Sequence, residues 1–238
     1  MSLLDVYLKD HGMSPDGVPP GMFPMETARY LNTTIKVRKG IKKFVDPKNA
    51  ADIVDFLPAP GSYTLGMVNG NFVFGDIVPH LMPARGKVSH FACSTLSLSV
   101  ANAEMLIAAK AKATEFQLWV SHYFVHCDKG PHAVAVKMLF DADIDLKCAR
   151  THAKIVLLHH GRNYFVMEGS ANLRSNANAE QMIILNDRTA YEFRLQNLHD
   201  LENITIDRED IARKIAKAKA DRDKKKTGEE EDFDTGEF

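Results

Sequence analysis

Short apolar runs separated by polar turns fill the middle of the chain, from residue 61 to residue 204. Runs rich in β-branched and aromatic residues are typical of strands, and they cover residues 63–68, 72–74, 87–94, 115–125, 133–140, 155–158, 164–167 and 182–185. Asn69-Gly70 joins the first two runs and favours the tight turn of a β-hairpin. Helix formers dominate residues 101–114, and residues 76–81 are a weaker helix candidate. Strands interleaved with a helix predict an α/β layered fold.

The two ends of the chain differ from this middle. Residues 1–60 contain repeated Pro and Gly turn signals and predict an irregular N-terminal extension before the domain at 61–204. Residues 205–227 carry an apolar stripe at helical spacing among many basic residues, which predicts a basic C-terminal helix. Residues 228–238 are mostly acidic and predict a disordered tail.

Composition and charge narrow the class of protein. The chain has 238 residues, of which 45% are hydrophobic and 26% charged, as in an ordinary globular protein. The formal charge is -1, and because the tail holds six acids and no base, the rest of the chain stands at +5. Three cysteines without a CxxC pair favour a reducing compartment. With no leader-like segment and no long apolar run, we expect a cytoplasmic protein that does not enter a membrane.

The most specific stretch begins at residue 151. His152 and Lys154 are two residues apart at the head of an apolar run, so on a strand their side chains would share a face. After a second strand comes Gly169-Ser170-Ala171-Asn172, and Glu180 follows shortly after it. This spacing presents five polar side chains near strand ends.

These side chains suit attack on phosphorus. The imidazole of His152 is a nucleophile at neutral pH, and the Lys154 ammonium pairs with phosphate oxygens. Ser170 and Asn172 can donate hydrogen bonds to the charge that develops in the transition state, and Arg174 is a candidate contact to the phosphate backbone. Glu180 could fix the tautomer of His152. The set requires neither a metal ion nor a cofactor.

The motif resembles that of the phospholipase D superfamily, in which HxK is followed by an Asp and then by GSxN. His152, Lys154, Gly169, Ser170 and Asn172 match residue by residue, whereas His159 stands at the place of the Asp. The chain is similar to the short, single-motif, nuclease-like proteins of bacteria and phages. The resemblance implies a mixed β-sheet flanked by helices. It also implies a homodimer in which two His152 residues meet.

Two functions stay open at this point. The first is a metal-independent nuclease that acts through a phosphohistidine, since the basic segments at 36–43 and 206–226 suit a polyanion and no membrane element is expected. The second is a non-catalytic protein that binds nucleic acid or a protein partner. The acidic tail could solubilise the chain, bind a partner or compete for the chain's own basic surface.

Other histidines offer weaker candidates. His122 and His126 invite a metal-site interpretation, but on the strand that the pattern predicts they would lie ~13 Å apart, too far to share one ion. We therefore expect no metal site there. His159 and His160 precede Gly161 and are expected at a solvated hairpin tip.

Overall fold

A computed structural model describes residues 42–45, 49–68, 74–83, 86–127, 130–173 and 179–227, all of which belong to one compact unit. Within these ranges, eight strands form one sheet: β1 Lys42–Val45, β2 Ser62–Val68, β3 Val88–Thr95, β4 Ala113–Ser121, β5 Leu146–Ala149, β6 Ile155–His160, β7 Asn163–Gly169 and β8 Glu180–Asn186. Their order is β1-β2-β8-β7-β6-β3-β4-β5. The pairs β1–β2, β3–β4 and β4–β5 are parallel and the others are antiparallel, so the sheet is mixed.

In the described part of the chain, six α-helices accompany the sheet: α1 Val78–Leu81, α2 Val100–Ala111, α3 His122–His126, α4 Gly130–Asp141, α5 Arg188–His199 and α6 Arg208–Thr227. The 3-10 helices Ala50–Phe56 and Phe74–Ile77 precede α1. Parallel neighbours need a crossover, and α2 and α4 supply it between β3 and β4 and between β4 and β5. Among the residues described, none of the helices is both long enough and apolar enough to cross a membrane.

Hydrophobic side chains pack on both faces of the sheet. The larger core lies on the face covered by α2, α4 and α6, where Leu106, Leu139 and Ile211 are buried. The other face is covered by α5 through Tyr191 and Leu198, which pack on the sheet side chains Ala92, Trp119, Leu157 and Val166. The predicted α/β class, with a mixed sheet between helices, is confirmed.

Two strand predictions are wrong. The run at 133–140 belongs to α4, because a parallel connection from β4 to β5 has to cross one face of the sheet. The run at 115–125 ends at Ser121, whose hydroxyl accepts the Tyr123 N–H and starts α3. The predicted hairpin around Asn69-Gly70 falls on residues 69–73, which lie outside the described residues, whereas Phe74, the predicted end of its second strand, begins a 3-10 helix.

Most of the other described elements agree with the sequence. The strands at β2, β3, β6, β7 and β8 and the helices α1, α2 and α6 lie within a few residues of their predicted positions. The strands β1 and β5, the helix α5 and the 3-10 helix Ala50–Phe56 were not predicted. The division of the chain at residues 60, 204 and 227 stays a prediction. Residues 1–41, 69–73 and 228–238, with the acidic tail, lie outside the described residues.

Candidate active site

One edge of the sheet gathers the polar residues of the motif. The parallel strands β3, β4 and β5 end at this edge, the antiparallel β6 and β8 begin there, and β7 ends there. We call this the site edge. The turn between β6 and β7 lies at the opposite edge, because β6 begins at the site edge.

His152 and Lys154 lie in a segment without regular secondary structure just before β6, not on the strand itself. Two consecutive backbone carbonyls of this segment accept hydrogen bonds. The Ser94 hydroxyl donates to the Ala153 carbonyl at 3.1 Å, and the Gly169 N–H donates to the Lys154 carbonyl at 3.4 Å. These hydrogen bonds fix the backbone from which the His152 and Lys154 side chains extend, and both side chains lie outside the core.

Both side chains line one cavity of about 780 Å³. His152 is exposed, and the Lys154 ammonium donates to the carbonyl of His152 at 3.1 Å. Strand residues from β2 and β8 supply an aliphatic wall that includes Leu65, Met67 and Ile183. The cavity can therefore hold an anionic group at one side and apolar atoms at the other.

An ion pair that was not predicted from the sequence also lines this cavity. Arg194 on α5 meets Glu168 on β7 in two contacts of 2.8 Å, and both residues line the cavity with His152 and Lys154. The two residues are far apart in the sequence, so no local motif could have joined them. The contact depends on α5 packing over β7.

Gly169 and Ser170 place the second half of the motif against β8. A Cβ atom at Gly169 would lie well inside van der Waals contact of the Gln181 carbonyl, so the close approach of β7 and β8 requires glycine. The Ser170 hydroxyl donates to the Glu180 carboxylate and accepts the Gln181 N–H at 3.1 Å. Ser170 thus joins Glu180, whereas the predicted contact between Glu180 and the His152 ring stays a prediction.

Asn172 immediately precedes Leu173, which is hydrogen-bonded to residues at and just after the end of β3. The Leu173 carbonyl accepts the Ser99 N–H at 2.9 Å, and the Leu173 N–H reaches the Thr95 hydroxyl at 3.4 Å. Among the described residues, the buried side-chain oxygen of Asn172 has no hydrogen-bond partner. A buried polar atom without a partner is costly, so a water or a ligand group is expected beside it. Arg174 lies outside the described residues.

His159 and His160 lie where the sequence placed them, at the end of a β-hairpin. Gly161 adopts a φ of 58° in the turn between β6 and β7. The His159 ring stacks on Tyr164 with 4.1 Å between ring centroids, and its Nε2 lies 3.1 Å from the Gly161 carbonyl oxygen. At this opposite edge of the sheet, His159 cannot contact a phosphate at His152.

The strand geometry assumed for His122 and His126 is wrong, because both lie on α3. Their ring centroids are 4.1 Å apart, which is the side-by-side arrangement that a spacing of four gives on a helix. The HxxxH spacing alone indicates two histidines side by side on a helix. The strand-like residues around them favoured the wrong secondary structure. In the described part of the chain, no group of three or more His, Cys, Asp or Glu side chains is arranged to hold a metal ion.

Cys93 and Cys148 are not nucleophiles of this site. All three are free, and Cys93 and Cys148 are buried. Burial raises the pKa of the Cys93 thiol to about 12 and also raises the pKa of Cys148. Both thiols therefore stay protonated at neutral pH.

Comparison with known proteins corrects the assignment made from the motif. No family model matches the chain, and no curated protein matches it. Among solved structures, the chain is similar to the polyphosphate kinase from Porphyromonas gingivalis, with 14% identity and a TM-score of 0.48. The match covers 74% of this chain and 31% of that chain, so the chain spans about a third of that protein's length. The assignment to the single-motif, nuclease-like branch of the phospholipase D superfamily is therefore wrong.

Proposed function

We propose that the chain is a phosphodiesterase in which His152 attacks phosphorus and Lys154 neutralises the phosphate oxygens. The observation that carries this proposal is that both side chains line one open cavity, on a backbone segment fixed by Ser94 and Gly169. Preorganised positive charge beside a nucleophile is what phosphoryl transfer demands of a protein.

The reaction balances in two steps. A ring nitrogen of His152 forms a bond to phosphorus, and the bond from phosphorus to the leaving oxygen breaks while an acid protonates that oxygen. Water then attacks the phosphohistidine, gives a proton to the same acid, which now acts as a base, and releases the imidazole. Each chain supplies one histidine of this motif, so a homodimer would provide the acid as the partner subunit's His152.

Nucleic acid is the substrate that the charges favour. Arg150, Lys154 and the histidines of α3 lie along the site edge, and α6 adds further lysines and arginines. A polyanion gains from many such contacts at once, whereas a small phosphodiester meets only the cavity.

A purified-protein assay with labelled DNA and RNA in EDTA tests the proposal. We expect cleavage that persists in EDTA, because Lys154 supplies the positive charge that a metal would otherwise provide. His152→Ala should abolish turnover and leave the fold intact, since the side chain is exposed. His160→Ala at the opposite edge is the matched control and should keep full activity. Full activity in His152→Ala, or complete loss in EDTA, would contradict the mechanism.

Two observations favour the alternative of a protein that binds nucleic acid or a partner without cleaving it. His159 stands where an Asp was expected, and the Glu180 carboxylate is joined to Ser170. In that case the protein would bind the labelled DNA or RNA without cleaving it. His152→Ala would then leave both the binding and the absence of cleavage unchanged.

A further inference from the structure

Three cationic or titratable side chains cluster at the site edge beside the proposed nucleophile. Ser121, the last residue of β4, pairs with Ala149, the last residue of β5. The next residue on each chain segment is therefore brought to the same place: His122 begins α3, and Arg150 leads into the segment that carries His152.

The members of this cluster are close to one another, and none of them forms an ion pair with an acid among the described residues. The rings of His122 and His126 are 4.1 Å apart between centroids. Partial burial first, and then the charges of His126 and Arg150, lower the pKa of His122. Arg150 and His126 are exposed, and within the described ranges no hydrogen bond or ion pair joins any of the three to another side chain. An anion placed against the Arg150 guanidinium would supply a counter-charge, and it would accept hydrogen bonds from the imidazole N–H groups.

The cluster continues the line of the proposed active site. Arg150 and His152 are two residues apart on one segment, and Arg150 lies at a bend where the Thr151 N–H donates to the Ala149 carbonyl at 2.9 Å. The two side chains leave the backbone at separate, neighbouring positions. An anion on Arg150 would therefore sit next to the phosphate at His152, not on it. A polynucleotide strand places a second phosphate at such a neighbouring position.

We propose that His122, His126 and Arg150 form a subsite for the phosphate that neighbours the scissile one in a polynucleotide strand. The subsite rests on the proposed function for its role, although its binding can be measured without cleavage. Arg150 would hold two oxygens of the flanking phosphate through its planar guanidinium, and the two imidazoles would face the same group.

Fluorescence anisotropy with a short fluorescein-labelled single-stranded DNA tests the subsite. The full chain carrying His152→Ala serves as the background, so that the DNA is not consumed. Arg150→Ala should weaken binding about tenfold, in line with the loss of a charged hydrogen-bonding partner. The slope of log Kd against log salt should fall by about 0.7, the value for one lost contact to a single strand.

Arg162→Ala is the matched control, because Arg162 is an exposed arginine in the hairpin turn at the opposite edge. It should leave both the affinity and the salt slope unchanged. Equal effects of Arg150→Ala and Arg162→Ala would overturn the subsite and leave only general attraction to a basic surface. His122→Ala with His126→Ala should also weaken binding.

Two further outcomes distinguish the phosphate subsite from a metal site and from the proposed catalysis. Loss of DNA binding in EDTA that returns on adding zinc would overturn the phosphate subsite in favour of a metal held by the two imidazoles. If the wild-type chain cleaves no nucleic acid but Arg150→Ala still weakens binding, the subsite stands and the proposed catalytic function fails. If the wild-type chain cleaves DNA and Arg150→Ala binds normally, the subsite alone is wrong.

Discussion

The absence of a side chain at Gly169 allows β7 and β8 to approach each other at the candidate site. A methyl group there would press into the Gln181 carbonyl, which is backbone and cannot move without separating the strands. The neighbouring Ser170 takes its position from the same pairing, since its hydroxyl accepts the Gln181 N–H at 3.1 Å. The glycine of the motif therefore has a packing role that is independent of chemistry.

Gly169→Ala should destabilise the fold by ~1–3 kcal/mol, the usual cost of forcing an extra methyl group into a packed region. Urea unfolding followed by circular dichroism would measure the loss. Gly61→Ala is an informative control, because Gly61 has a φ of 80° but open space around a Cβ atom, so only the cost of the left-handed conformation, ~1–2 kcal/mol, applies. Wild-type stability and activity in Gly169→Ala would contradict the close approach of the two strands.

His90 is a buried titratable group on the face covered by α5. Its Nδ1 contacts the Tyr191 hydroxyl, and its Nε2 lies 3.1 Å from the Gln117 side-chain oxygen. That oxygen also lies 3.1 Å from His199 Nε2. Burial lowers the pKa of His90, and the Gln117 hydrogen bond and Glu115 only partly oppose this effect.

This burial predicts that the protein loses stability as the pH falls. The unfolded chain takes up the proton near pH 6.5, before the folded chain does, so the contribution of neutral His90 is complete above that pH and declines below it. The melting temperature should therefore fall between pH 7.5 and pH 5.5. In His90→Gln this fall should be smaller, whereas His160→Gln in the hairpin should retain it. The same pH dependence in His90→Gln as in wild type would contradict the assignment.

At the scale of the elements, the local sequence was sufficient to predict secondary structure where the buried residues of a segment recur at one clear spacing. The strands β6, β7 and β8 were predictable because short apolar runs are bounded by polar residues and by the turn at Gly161. The helix α2 was predictable because helix formers fill it and it packs by one side. In these segments the tertiary contacts agree with the local preference.

Where the hydrophobic pattern did not distinguish a strand from a helix, tertiary contacts determined the secondary structure. The run that contains Ala133, Ala135, Val136 and Leu139 is apolar enough for a strand, but these residues are the buried positions of α4. The helix α5 was missed for the opposite reason, because few of its residues are apolar and it buries chiefly Tyr191 and Leu198. Its start is nevertheless a standard one, since the Asp187 carboxylate accepts the Ala190 N–H at 2.9 Å.

The candidate site follows the same division. The sequence was sufficient to predict part of the site because a short motif contains four of its residues, which are His152, Lys154, Gly169 and Ser170. The ion pair of Arg194 with Glu168 and the cluster around Arg150 were not, since each joins segments that only the sheet order brings together. A sequence motif can name a nucleophile, whereas the surrounding charges depend on topology.

On the scale of the whole molecule, the charges are unevenly distributed along the chain. The last eleven residues hold six acids and no base, and the remainder carries a formal charge of +5. Cations at the site edge and along α6 belong to this basic body. A basic body draws a polyanion to the site before any specific contact forms.

The whole-molecule prediction is the assembly state. Transfer through a phosphohistidine needs both a nucleophile and an acid, and one chain supplies a single histidine of the motif, so we expect a stable homodimer with twice the 26.6 kDa mass of the chain. Light scattering at micromolar concentration should give that doubled mass, and specific activity should fall when dilution dissociates the dimer. His152→Ala should keep the doubled mass, which separates loss of chemistry from loss of assembly. Mixing His152→Ala and Lys154→Ala chains should not restore wild-type activity, because each shared site would still lack one group. A monomer mass that persists at full specific activity would show that one chain completes the site alone.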